Sequence, residues 1–143
     1  MKTQTITTIA LAFTIVGCGK TNENGEDEKT MRKNTFTSAK QLALGMLMYA
    51  QDNDGVMPPK FPTQKEWQKV IYPYFKHEFK SDNLKGGDFV QNPATYGIST
   101  KGVDQTLILG YEENAWDDGK KCYFTIGGDV KFLSSSEKPK MTP

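Results

Sequence analysis

The sequence is poor in histidine, cysteine and net charge, and each shortage removes a class of function. His77 is the single histidine in 143 residues. A zinc-protease His-x-x-x-His pair or a Cys2His2 finger therefore cannot be assembled. Cys18 and Cys122 are the only thiols, too few and too far apart for a disulfide framework. The 18 Lys+Arg against 17 Asp+Glu leave a formal charge of +1. Without a basic excess for a phosphate backbone, nucleic acid is not an expected partner. No Gly-rich phosphate loop is present either, because Gly127-Gly128-Asp129 precedes a strand-like run rather than a helix. What remains is one domain at most, with 36% apolar residues to build it.

The most informative segment is the start. Met1-Lys2-Thr3 is a short basic opening, and Ile6 to Val16 is an eleven-residue, mostly apolar run. Spanning a bilayer takes about 20 apolar residues, so this run reads as an export signal. Ile15-Val16-Gly17-Cys18 resembles the bacterial lipobox, in which a branched apolar residue, an apolar or small residue and Gly or Ala precede a Cys. The resemblance implies cleavage after Gly17 and acylation of the Cys18 thiol, whose sulfur becomes the thioether that carries diacylglycerol. An ordinary secretory signal with an incidental cysteine is the plainer alternative. Removing residues 1–17 leaves 126 residues and discards Lys2, so basic and acidic side chains balance at 17 each. Two or three acyl chains, at about 0.8 kcal/mol per buried CH₂, anchor such a neutral protein without help from charge. Gly19 follows the cysteine where an inner-membrane retention Asp would stand, which by resemblance points to the outer membrane in a Gram-negative cell.

Residues 18–34 are polar, with Met31 their one sizeable apolar side chain after Cys18, and read as a disordered tether. As a coil the tether would reach about 20–25 Å. From Thr35 the pattern turns helical, with Ala39, Leu42, Ala43, Met46, Tyr49 and Ala50 on one stripe and Leu44, Leu47 and Met48 widening it. Thr37 or Ser38 is the expected cap, and Asp52-Asn53-Asp54-Gly55 the expected stop. Those acidic residues begin like a calcium loop, but Pro58 and Pro59 intervene, so a turn is the better reading. Thr63-Gln64-Lys65-Glu66 forms a capping box before a second helix carrying Trp67, Val70, Ile71 and Tyr74, with its end expected at Pro73. His77 follows in a polar stretch with no nucleophile or orienting partner nominated, and reads as a surface residue.

Past Gly86-Gly87 the helical period disappears. Residues 106–111, 121–126 and 130–133 are β-rich runs, joined by loops that carry Asp118-Gly119 and Gly127-Gly128-Asp129. A long helix across a small antiparallel meander is an α+β architecture. The fold is expected over 35–133, with 134–143 as a polar tail.

Lys40-Gln41-Leu42-Ala43-Leu44-Gly45-Met46-Leu47-Met48-Tyr49-Ala50-Gln51-Asp52-Asn53-Asp54-Gly55, then Pro58-Pro59, Trp67, Tyr72-Pro73-Tyr74, Leu109-Gly110-Tyr111-Glu112 and Val130-Lys131-Phe132-Leu133, resemble the pilin-like proteins of planctomycetes and verrucomicrobia. Those are relatives of type II secretion pseudopilins. The resemblance covers roughly residues 38 to 133. Two departures bound what it implies. Asp117, Gly127, Gly128 and Asp129 stand where the family has His, Asp, Gly and His, so no role of those histidines carries over. The Phe-Thr-Leu-Ile-Glu start of a polymerising pilin helix is absent, and a lipid anchor takes its place. Secretion pseudopilins hold calcium near their late strands, and Glu112, Glu113, Asp117 and Asp118 occupy a comparable place. Oxygen ligands suit that hard cation, although acidic pairs around a hairpin are also simply solvated.

The resemblance therefore implies a non-enzymatic, lipid-anchored envelope protein that contacts other envelope proteins in secretion or surface assembly. A second reading is an envelope carbohydrate- or ligand-binding module. Residues 35–133 hold 15 aromatics, and Trp116 lies in a polar loop where its ring could stack on a sugar. Catalysis by Cys122 is the least favoured reading, since the thiol sits in the apolar run Lys121 to Ile126, which suits a buried core residue.

Overall fold

The structure, a computed structural model, describes residues 23–143 apart from His77, with side chains from Asp27 onward. The expected signal peptide, the Cys18 lipidation site, the first residues of the tether and His77 lie outside the described residues. The element order is α1 (Glu23–Asp52), α2 (Gln64–Phe75), β1 (Phe89–Gln91), β2 (Ile108–Glu112), β3 (Lys120–Thr125) and β4 (Val130–Ser134). The four strands form one antiparallel sheet in the order β1-β2-β3-β4. This is the expected α+β arrangement of a long helix on a small meander.

α1 begins at Glu23, well before the expected boundary at Thr35, and its 30 residues extend about 45 Å. Polar composition did not prevent this because local pairs and tertiary contacts hold the segment. Arg32 reaches Glu28 one turn back at 2.8 Å, and the Thr37 hydroxyl donates to the Lys33 carbonyl at 2.9 Å. Thr37 and Ser38 thus lie inside the helix and cap nothing. Ala39, Leu42, Ala43, Met46 and Ala50 are buried as the stripe predicts, whereas Leu44 is half exposed. The helix stops in the expected turn, where the Gly55 N–H reaches the Ala50 carbonyl at 2.7 Å with φ at 81°.

The capping box of α2 is complete: the Thr63 N–H donates to Glu66 Oε2 at 3.1 Å and the Glu66 N–H to Thr63 Oγ1 at 3.3 Å. Trp67 and Ile71 turn inward. The helix passes Pro73 and closes at Lys76, whose N–H reaches the Tyr72 carbonyl at 2.7 Å. A proline in the last turn forfeits only one helical hydrogen bond, so the helix continues past it. α2 lies against α1 at Gly45, where a Cβ would stand 2.9 Å from the Phe75 ring.

β1 is three residues long, too short to show a period, and has no signature in the sequence. It pairs with β2 through Phe89↔Glu112 and Gln91↔Gly110. β2 carries an irregularity between Ile108 and Gly110 where it meets β3. Gly110 is required there, since a Cβ would overlap the Phe124 ring and come 2.8 Å from the Val90 carbonyl. Both helices and the sheet enclose one core of Met46, Trp67, Ile71, Phe89, Leu109, Cys122 and Phe124, with Phe132 at its margin. The expected tail is tied down: the Ile108 N–H donates to the Lys140 carbonyl at 2.8 Å, and Asn92 Nδ2 to the Met141 carbonyl at 2.9 Å. No helix among the described residues is long and apolar enough to cross a membrane.

Candidate functional site

At the sheet end nearest the start of α1, the apolar core gives way to a buried carboxylate. Glu112 closes β2 and is completely inaccessible to solvent. Three donors converge on it. The Cys122 N–H reaches Oε2 at 2.5 Å, Trp116 Nε1 lies 2.8 Å from Oε2 and 3.0 Å from Oε1, and the Ser81 hydroxyl donates to Oε1. The backbone explains the arrangement. The β2–β3 register ends at Tyr111↔Tyr123, the chain then forms the 113–119 loop, and at its root the Glu112 side chain takes the Cys122 N–H. A buried amide left without an acceptor would cost about 1–3 kcal/mol, so the carboxylate holds the root of the hairpin.

Trp116 is buried, not displayed. The polar loop around it predicts an exposed ring for a ligand, but it retains 6% of its accessibility. Its indole N–H is committed to Glu112, its edge meets Phe132 with ring centroids 6.1 Å apart, and the Arg32 guanidinium covers it at 4.7 Å. Such a ring offers little face for sugar stacking. Arg32 also pairs with Asp118 at 3.1 Å across the loop. One α1 side chain therefore ties the helix to the loop by charge and by cation–π contact. Burial alone would lower the Arg32 pKa, but Glu28 and Asp118 outweigh it and raise it.

The four carboxylates named for calcium have separate partners. Glu112 accepts the three internal donors, Asp117 pairs with Lys85 and Asp118 with Arg32. Glu113 is exposed and binds through its backbone, with its carbonyl taking Lys121 Nζ at 2.6 Å. Among the described residues, no group of three or more His, Cys, Asp or Glu side chains is close enough to hold a metal ion. Cys122 is buried as its apolar run predicts. Desolvation pushes its thiol well above the ordinary value, and the nearby Glu112 adds to the effect. A thiol so disposed is a packing group rather than a nucleophile.

Beside this cluster lies an open cleft of about 670 Å³ between α1 and the 83–85 turn, bordered by Asp27, Met31, Leu84, Lys85, Trp116 and Asp117. The turn is held from several sides. The Asp82 N–H donates to Thr35 Oγ1 at 2.9 Å, Asn83 Nδ2 to the Asn114 carbonyl at 3.2 Å, and Asn114 Nδ2 to the Lys85 carbonyl at 3.3 Å. Ser81 links the turn to the buried carboxylate, accepting from the Asn83 N–H at 3.0 Å while donating to Glu112. Leu84 projects from this framework at 86% exposure, far above any other large apolar side chain in the described residues.

The sequence pattern singles out Glu112 and Trp116 but assigns them to a surface, and it passes over Arg32, Ser81 and Leu84. Arg32 and Ser81 sit in polar runs and pair with residues far along the chain, so no local pattern marks them. No protein-family model, curated protein or solved structure matches the chain.

Proposed function

We propose that the chain is a lipid-anchored cell-envelope protein whose pseudopilin-like domain serves as a structural or protein-contact module in secretion or surface assembly. The observation that carries this reading is Ile15-Val16-Gly17-Cys18 directly after an apolar run of signal-peptide length. Acyl chains on Cys18 attach the domain to the bilayer, and the long α1 with its small meander supports the pseudopilin-like half of the reading. The carbohydrate-binding alternative depends on an open Trp116, and the buried indole withdraws that support.

The test has two parts. Expression with radiolabelled palmitate should mark the protein, and Cys18→Ala should remove the label and release the chain from membranes. A membrane-bound, unlabelled wild type would overturn the anchor. Cross-linking in native membranes should then recover secretion or envelope proteins reproducibly. Recovery of none would overturn the contact role and leave the anchor intact.

A further inference from the structure

The start of α1 sharply limits how the domain can stand on a membrane. Five residue steps separate Cys18 from Glu23, the first helical residue, and an extended chain covers at most about 3.6 Å per step, or roughly 18 Å in all. The first turns of α1 therefore stay close to whatever holds Cys18. Asp27 and Met31 on those turns border the same cleft as Leu84 and Lys85, so the 83–85 turn occupies this end of the domain too. Thr100 and Lys101 lie at the other end, where the Thr100 N–H meets the Gly55 carbonyl at 2.7 Å just past the end of α1.

A single exposed leucine normally needs no explanation. Leu84 differs in two respects. Its turn is fixed by side-chain hydrogen bonds from Asn83 and Asn114 and through Ser81 to the buried Glu112, so the apolar group is held outward by a framework. It also lies at the end that a short lipidated stalk keeps within reach of the bilayer.

We propose that this end is a membrane-contacting face, with Leu84 inserted as an apolar finger into the headgroup region of the leaflet that holds Cys18. The proposal rests on acylation of Cys18. On this face Lys85 pairs with Asp117 and Glu28 with Arg32, while Asp27 and Lys29 in the same turns of α1 add one exposed charge of each sign. With its charges paired or balanced, the face suits a neutral, zwitterionic surface and gains nothing from anionic lipid.

The acylated full chain, reconstituted in phosphatidylcholine vesicles, tests this directly. A polarity-sensitive fluorophore is placed at Lys85→Cys and, separately, at Lys101→Cys, and acylation is read from the mass of the N-terminal peptide. The label at 85 should shift to the blue and be quenched by lipid-borne nitroxide, while that at 101 keeps its aqueous emission. Adding Leu84→Asp should return the label at 85 to water without releasing the protein. Replacing a third of the lipid with phosphatidylglycerol should leave the shift unchanged at low and high salt, and a shift that appears only with anionic lipid would overturn insertion of Leu84 in favour of attraction by charge. An acylated protein whose label at 85 stays in water overturns the proposal alone, and a missing acyl mass overturns the anchor with it. A label buried only in native membranes assigns the face to a protein partner, which also overturns contact with lipid.

Discussion

The layer between the helices and the sheet and the cluster around Glu112 are both closed to water, but they are closed in different ways. Met46, Ile71, Leu109 and Phe124 are held by burial, which is non-directional and roughly proportional to area. Glu112 is held by three donors at fixed angles from Ser81, Trp116 and Cys122. The first region can exchange one apolar shape for another of similar volume. The second has no substitute that offers two acceptor oxygens in the same place, so it should fail abruptly where the first degrades gradually.

The largest effect tests that contrast. Glu112→Ala leaves a buried hydroxyl, an indole N–H and an amide N–H without an acceptor, and should lower stability by about 3–5 kcal/mol in urea unfolding. Glu112→Gln keeps one acceptor oxygen but turns an NH₂ toward the remaining donors, so it should not rescue the protein fully. Met46→Ala should cost a comparable 2–5 kcal/mol or so through its cavity, yet Met46→Leu should cost less than about 1.5 kcal/mol. A mild Glu112→Gln beside a severe Met46→Leu would reverse the distinction between the two regions.

The same contrast explains what could be read from the sequence. The apolar layer announces itself by period: Ala39, Leu42, Ala43, Met46 and Ala50 recur at helical spacing, and all are buried. Thr63 and Glu66 are visible because a capping box is local, three residues apart. β2, β3 and β4 are visible because β-rich runs alternate with glycine turns. The cluster at the start of α1 has no comparable signature. Ser81 and Glu112 are 31 residues apart in sequence, and a glutamate at a strand end looks the same whether it faces water or the core. That ambiguity groups Glu112, Asp117 and Asp118 as cation ligands on paper, although the fold sends them to different partners. It also makes 23–34 read as coil, because the contact that completes this part of α1 is Arg32 on Trp116, which only the folded chain brings together.

A smaller effect separates stacking from charge within the cluster. Arg32→Lys preserves the positive charge but loses the planar group that lies over Trp116 and meets Glu28 through both Nε and Nη2. Lysine is a point charge on a flexible stem, so a loss of about 1 kcal/mol is expected in thermal unfolding. The near-ultraviolet circular dichroism of the buried Trp116 should weaken in parallel. Full stability of the Arg32→Lys variant would mean that α1 is joined to the loop by charge alone.

The smallest effect concerns the charge itself. Burial by itself would raise the Asp118 carboxyl pKa, but the Lys120 N–H and the Arg32 guanidinium outweigh it and hold it below the ordinary value. A depressed folded-state pKa stabilises the fold above the unfolded value, near pH ~4, and that contribution is lost as pH falls through the folded value. Asp118 is 43% exposed, so solvent screening limits the pair to less than about 1 kcal/mol. Asp118→Asn keeps an oxygen for the Lys120 N–H and removes only the charge. Its melting temperature should therefore lie slightly below wild type at neutral pH, approach it as the pH falls below the carboxylate range, and approach it again at neutral pH in high salt. A deficit that persists in both acid and salt would show that Asp118 acts through its hydrogen-bond geometry, making the join between α1 and the loop as directional as the Glu112 cluster beneath it.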